Sequence, residues 1–322
     1  MMATPAPSWR REPIRWISHG FNNGLVFTLG YYGSIYTPRP LDWPIVQVGA
    51  RVLRRALPSA TTALVQNLSV VFPGESRRQL YRRALATYVS YANDYVDFIK
   101  ALRWPREVVL ERFAYEHGER LQGAMAQGRG VILVTGHFGN WEAGAIVMRA
   151  LGVPLTVVAM AEPDPHVHAY RLRIRESLGV DTLEVRQSLD TPLQIRRKLS
   201  EGRAVALLMD RAVDRDRVPV TFFGRDVEFL GTPALLAYLT GAPLVPMTLV
   251  REGHGRFRAI PAEPIYVDRS APRDQEMRRA AQAVADVLEA QIRQRPECWY
   301  QFYPYFEDRE RSTVHGPRSA GA

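Results

Sequence analysis

The sequence is nearly without cysteine and nearly without lysine. Cys298 is its single cysteine, which excludes an intrachain disulfide and a cysteine-rich zinc site and agrees with a reducing compartment. The surrounding "PECWYQF" offers that thiol no activating neighbour, so Cys298 is expected to be structural. Lys100 and Lys198 are the only lysines, so the net charge of +9 is carried almost wholly by arginine. A GC-rich coding bias and an anionic partner (phospholipid head groups, a phosphorylated donor, nucleic acid) both produce such a composition, and arginine content alone does not choose between them. No uninterrupted apolar run reaches the roughly 18 residues that a membrane-spanning helix needs. The start, "MMATPAPSWRREPIRW", is basic, but the apolar stretch after it is broken by His19, Asn22 and Asn23, so no convincing export signal is expected. There is no G-x-S-x-G elbow, which counts against an ordinary serine hydrolase, and no H-E-x-x-H, which leaves little ground for a metal site.

What is present is the composition of an ordinary globular protein, with 46% hydrophobic and 23% charged residues. From about residue 40 to 128 the pattern is helical. "SRRQLYRRALATYVSYANDYVDFIKAL", Ser76 to Leu102, repeats apolar positions at helical spacing between Pro73-Gly74 and Trp104-Pro105. From Val131 short β-branched runs ("VILVT", "PLTVVAM", "DTLEVR", "AVALLMD", "LVPMTLV") alternate with helical segments, the pattern of an α/β domain with a largely parallel sheet. A hairpin turning near Gly253-His254-Gly255 and a helix from about Arg273 to Arg293 complete it. The expected fold is therefore α/β, a largely parallel or mixed sheet flanked by helices. It divides into an N-terminal helical region (1–128), an α/β core (129–310) and a tail (311–322) expected to be disordered. Within the first region "GLVFTLGYYGSIY" follows Arg10, Arg11 and Arg15, so about 16–36 is a candidate membrane-interface segment, or else a buried part of the core.

The stretch "VTGHFGNWEAG", Val134 to Gly144, reads as a strand-to-helix turn, where α/β proteins commonly build sites. Residues five apart in one continuous helix lie roughly 140° apart around its axis. If His137 and Glu142 cooperate, the histidine must stand outside the helix and the glutamate within its first turns. A histidine can take the proton of an alcohol as that alcohol attacks a carbonyl, and a carboxylate on its other nitrogen fixes the tautomer. The pair suits acyl transfer in which the acceptor hydroxyl is itself the nucleophile. A histidine near a carboxylate is more often a hydrogen-bonded structural residue, and spacing does not separate the two.

"HFGNWE" resembles the signature of the lipid A biosynthesis acyltransferases, the lauroyl/myristoyl transferase branch of the lysophospholipid acyltransferase-like superfamily. The blocks "NLSVVFPGESRRQLYRRAL", "RESLGV", "LLMDRAVDRDRVPVTFFGRDVEFLGTPALLAYLTGAPLVP" and "RPECWYQF" follow in the family's order, so the resemblance covers roughly residues 65 to 306. It implies an acyl thioester donor, acyl-ACP or acyl-CoA, with no further cofactor and no metal. It implies a hydroxyl acceptor on a membrane lipid (a lipid A precursor or related glycolipid) and a site at the cytoplasmic face of the inner membrane. His137 is implied as general base and Glu142 as its partner, with Asn140, Arg175, Asp210, Arg211, Phe223, Gly224, Arg225 and Thr232 as substrate-binding residues. Asp210 and Arg211 follow the strand "AVALL" at its carboxyl end, where an arginine can hold a phosphate or polarise a thioester carbonyl, or can simply form a surface ion pair. Thr232-Pro233 reads as an N-cap and first helical position whose amides suit an anion. Phe222 and Phe223 wall an acyl channel or belong to the core. Two features depart from the family: the N-terminal apolar segment is interrupted, and "YPYFEDRERS" lacks a basic pair after "CWYQF", which puts lipid A itself in doubt as acceptor. A non-catalytic lipid-binding protein and a thioesterase-like hydrolase remain alternatives. The scattered arginines and the lack of a recognisable module argue against nucleic acid as partner.

Overall fold

Proline and capping residues set the first helices. The computed structural model describes residues 24–162, 164–185, 190–213, 215–253 and 255–306. It opens with α1 (Gly24–Tyr36), α2 (Arg39–Ala56), α3 (Pro58–Val71) and α4 (Arg77–Ala101). Pro58 opens α3 at its first turn, where a missing N–H costs nothing. Ser76 and Gln79 form a capping box that starts α4 where the sequence placed it. Leu80, Ala84 and Tyr88 of α4 pack on Leu64 and Leu68 of α3, together with Tyr300 and Phe302 from the far end of the chain. After α5 (Arg106–Arg112) comes β1 (Phe113–Tyr115), so the sheet begins inside the stretch expected to be helical. Three residues are too few to show a period in sequence.

The remaining elements run α6 (Gly118–Met125), β2 (Val131–Thr135), α7 (Gly144–Leu151), β3 (Leu155–Ala159), α8 (Pro165–Ser177), β4 (Asp181–Glu184), α9 (Asp190–Ser200), β5 (Ala204–Leu208), β6 (Val218–Phe222), β7 (Arg225–Phe229), α10 (Thr232–Thr240), β8 (Leu244–Gly253), β9 (Arg256–Pro261) and α11 (Arg273–Gln294). Seven strands form one sheet in the order β1-β9-β8-β2-β5-β3-β4. β8, β2, β5, β3 and β4 are mutually parallel, and β9 turns back antiparallel along β8. The expected α/β architecture and the hairpin at 253–255 are thus observed. β2 lies at the centre, and Val131, Ile132 and Val134 are fully buried; each such side chain contributes roughly 1.5–3 kcal/mol of burial. β6 and β7 form a separate antiparallel hairpin, absent from the sequence expectation because "VPVTFFGRDVEF" read there as a motif rather than as two alternating strands. The tail expected to be disordered, and the first part of the 16–36 segment, lie outside the described residues.

α4 carries an unusual set of buried polar groups on the face toward the sheet: Asn93, Asp94 and Asp97. Asp97 takes Arg39 and Arg251, the latter at 2.7 Å. Asp94 accepts from the Tyr300 hydroxyl at 2.5 Å and among the described residues has no cationic partner at hydrogen-bond distance, and burial pushes its carboxyl up to about 7. A folded carboxyl that keeps its proton longer than the unfolded one stabilises the fold relatively at low pH, and that contribution is lost as pH rises toward 7. Against an unfolded value near 3.9 the loss is on the order of 2–4 kcal/mol. Asp94→Asn, which keeps the shape without the charge, is expected to gain on the parent as pH rises, so that its melting advantage is larger at pH 8 than at pH 5. Thermal unfolding at those two pH values checks this, and the same difference at both would show that Asp94 is not held protonated.

Candidate active site

Strand register alone brings the central pair together. β2 and β5 are parallel neighbours paired from Val131↔Ala204 to Thr135↔Leu208. The same offset carried two residues past both carboxyl ends sets His137 beside Asp210. The His137 backbone N–H donates to Asp210 Oδ2 at 2.9 Å, and its Nδ1 lies 2.7 Å from Asp210 Oδ1. An ionised carboxylate only accepts, so Nδ1 carries the ring proton and Nε2 keeps its lone pair. Asp210 is fully buried, whereas the imidazole side chain is 15% exposed, so the ring is reachable while its partner is shielded.

The flanking glycines are there because backbone passes close by. A Cβ on Gly136 would stand 2.6 Å from Leu288 and 3.1 Å from Asp210 Oδ2. Gly139 adopts φ +62°, and a Cβ there would meet the Leu249 carbonyl oxygen at 2.1 Å. The turn is tied down on both sides: Asn140 N–H donates to Leu249 O, Gly139 N–H to Cys298 O, and Tyr300 N–H to His137 O, each at 2.8 Å. Trp141 meets the imidazole edge-on, with ring centroids 5.4 Å apart.

Burial, and then the nearby Arg211 charge, hold the His137 imidazole below its ordinary value, with Asp210 opposing both. Burial alone would raise the Asp210 carboxyl, but His137 and Arg211 outweigh it and hold it low. The outcome near neutral pH is a neutral imidazole on an ionised carboxylate, the protonation state of a general base.

Glu142 does not partner His137. The histidine does stand outside the helix and the glutamate in the following turn, a 3₁₀ turn over Trp141–Ala143. Successive residues of such a turn point about 120° apart. Trp141 takes the space beside the imidazole, and Glu142 is directed to α8. There its Oε1 accepts from Arg171 Nη1 at 2.6 Å and Arg175 Nη2 at 3.2 Å, two arginines one helical turn apart. Burial would raise the Glu142 carboxyl, but Arg175 and Arg171 outweigh it, so Glu142 is ionised. Arg175 is thus the partner of Glu142, and Arg171, which the sequence did not single out, stands with it.

The other expected site residues divide. Arg211 lies next to Asp210, bonds to Gln301 Oε1 at 2.8 Å and lies over the Tyr303 ring. Asn140 is buried, and its amide is committed internally, donating to Asp94 O at 2.8 Å and accepting from Ala143 N–H, so it shapes the turn. Phe223 and Gly224 form the tight turn of the β6–β7 hairpin, both at positive φ. Phe223 packs on Phe222 and Trp299 beneath Arg293 of α11, making the aromatic pair part of the core; Arg225, just after it, is exposed. Thr232 is the first residue of α10 rather than its N-cap. The amides of Gly231 and Thr232 both donate to Asp216 Oδ1, at 2.9 and 2.8 Å, so the anion at this helix start is the chain's own aspartate.

A profile of the bacterial lipid A biosynthesis acyltransferases matches residues 24–307, a span that takes in every described residue. The chain belongs to this family. It is accordingly an acyltransferase, and the central pair lies within the matched region. The acyltransferase is 28% identical over 299 residues to the phosphatidylinositol mannoside acyltransferase of Mycolicibacterium smegmatis, covering 87% of this chain and 91% of that protein. It is 31% identical over 189 residues to the phosphatidylinositol mannoside acyltransferase of Mycobacterium tuberculosis strain H37Rv, covering 58% and 57% of the two chains.

Proposed function

We propose that this acyltransferase moves a fatty acyl group from a thioester, acyl-CoA or acyl-ACP, to a hydroxyl of a membrane glycolipid, with His137 as general base. The observation that carries this reading is the neutral imidazole on buried Asp210, its Nε2 without a hydrogen-bond partner among the described residues. In the step proposed, Nε2 takes the proton of the acceptor hydroxyl as its oxygen attacks the thioester carbonyl. The C–S bond then breaks, and the imidazolium returns the proton to the leaving thiolate. Arg211 and the Arg171/Arg175 pair supply positive charge for a phosphate or a developing oxyanion. The relatives named for phosphatidylinositol mannoside favour a glycolipid of that chemistry over lipid A as acceptor, in line with the missing basic pair after "CWYQF". Purified enzyme supplied with acyl-CoA and vesicles containing phosphatidylinositol mannoside is expected to release CoA and yield a lipid heavier by one acyl group. Free fatty acid formed at the same rate with and without glycolipid would instead establish hydrolysis.

The reading places the enzyme at the cytoplasmic face of the inner membrane. Among the described residues no helix is long and apolar enough to cross a membrane. α2, however, has two apolar stripes. Val46 and Ala50 are buried, while Leu41, Ile45, Val48 and Val52, at helical spacing, are each more than half exposed, with Arg51 and Arg55 exposed alongside. Leu29, Tyr32 and Tyr36 of α1 are exposed as well. α1 also touches α8, through Tyr31 and Tyr170, on the helix that carries Arg171 and Arg175. An apolar stripe edged by arginines suits the surface of an anionic bilayer. Ile45→Glu/Val48→Glu is expected to lower partition onto phosphatidylinositol-containing vesicles at least tenfold in sedimentation, with an unchanged circular dichroism spectrum. Undiminished binding would remove α2 from the interface.

A further inference from the structure

Asp210 and Arg211 are adjacent in sequence and opposite in charge, yet a single amide stands between their side chains. Gln301 is fully buried. Its Nε2 donates to Asp210 Oδ2 at 2.6 Å, and its Oε1 accepts from Arg211 Nη2 at 2.8 Å and Nε at 3.2 Å. The orientation of the amide is dictated by its neighbours, since a carboxylate only accepts and a guanidinium only donates. The segment that carries it is fastened to the same site. Asn67 Nδ2 donates to Gln301 O at 3.0 Å, Tyr300 N–H donates to His137 O at 2.8 Å, and the Tyr305 hydroxyl donates to Asp210 O at 2.7 Å.

We infer that Gln301 is a positioning residue: it saturates Asp210 Oδ2 with a neutral donor and holds Arg211 off that carboxylate, so that Oδ1 stays aligned on His137 Nδ1. The inference rests on His137 being the base. A primary amide presents a donor and an acceptor side by side in one neutral planar group, and Asn is one methylene too short to reach both partners. An apolar residue at 301 takes away the acceptor for two Arg211 bonds and leaves Asp210 Oδ2 across the vacated space. Arg211 keeps the Tyr300 carbonyl, to which Nη2 donates at 3.3 Å, but loses its two bonds to an amide oxygen, and an arginine–carboxylate pair is among the stronger hydrogen-bonded contacts. Arg211 then swings onto Asp210, drawing the carboxylate away from the imidazole. The ring loses its orientation, and the imidazolium formed during transfer loses its counter-charge.

The test uses Gln301→Met, which approximates the volume without either polar function, and Gln301→Met/Arg211→Met. Two signals are read: turnover, and the downfield proton resonance of the His137 Nδ1–H···Asp210 hydrogen bond, assigned by its disappearance in His137→Ala. In Gln301→Met the resonance is expected to move upfield and kcat to fall 10–100-fold, as for other residues that orient a site ligand, with KM for the thioester within about threefold. In the double variant the resonance is expected to return, because the competing cation is gone. Gln301→Asn, which keeps an amide but reaches only one partner, is expected to show the same two changes in smaller degree, and it serves if the methionine variant does not fold. An unmoved resonance in folded Gln301→Met or Gln301→Asn overturns the inference, as does an upfield shift that persists in the double variant. Lost turnover in His137→Ala together with an unmoved resonance in Gln301→Met leaves the base reading standing and removes only this one; full turnover in His137→Ala removes both.

Discussion

Replacing His137 by alanine is expected to lower acyl transfer by about 10²–10⁴-fold, the range general-base catalysis contributes, with the fold intact. The ring is partly exposed at the end of β2, and the hydrogen bonds holding the turn run through the backbones of His137, Gly139 and Asn140, so little packing is lost. In the unaltered enzyme the active form is the neutral imidazole. Because burial and Arg211 hold it below its ordinary value, the midpoint of the acid limb of kcat/KM is expected below that of an ordinary imidazole. A pH profile on one fixed acyl thioester checks this. An acid limb with its midpoint above that of an ordinary imidazole, or an alanine variant with full turnover, would remove His137 as the base.

The second large effect distinguishes two carboxylates. Asp210→Asn is expected to cost on the order of 10³–10⁴ in kcat. In the native site Oδ2 accepts from both His137 N–H and Gln301 Nε2, so an asparagine oxygen takes that position and its NH₂ faces Nδ1. The imidazole must then accept at Nδ1 and carry its proton on Nε2, the tautomer that cannot act as base. Glu142→Gln leaves the imidazole untouched and only removes a counter-charge from Arg171 and Arg175. It is expected to lower kcat by less than about tenfold and to act mainly on KM, because arginines freed of a carboxylate bind anions differently. Steady-state kinetics of the two variants side by side decide the matter. A larger kcat loss in Glu142→Gln than in Asp210→Asn would return the partner role to Glu142.

That assignment also marks how far the sequence reached. "VTGHFGNWEAG" was legible as a strand, a turn and a helix start because β-branched residues, glycines and helical spacing are local signals, and His137 was legible as the candidate base. Its partner was not. Glu142 is five residues away and Asp210 is 73 residues away, and nothing local says which carboxylate faces the ring. Asp210 was legible as a substrate-binding candidate at a strand end, not as the partner of His137; Gln301 had no signal beyond lying in "RPECWYQF", and Arg171 lies outside the blocks that resemble the family. Thr232 shows the same limit from the other side: the helix start was readable, but its amides are taken by Asp216, which only the folded loop brings there.

By itself the sequence determined the α/β class, the helices ahead of it, the central strand, the histidine and the kinship with acyltransferases. Each follows from periodicity, capping and turn chemistry within a few residues, or from an ordered set of motifs. The tertiary structure alone decided that β2 and β5 lie side by side in a register that levels His137 with Asp210. It also decided that Glu142 turns to α8 and that Gln301 comes from the far end of the chain to separate Asp210 from Arg211. The physical reason is one of range. Side-chain spacing along a strand or helix is fixed by the backbone, whereas contacts between strands depend on how whole elements pack, which no short stretch of sequence encodes.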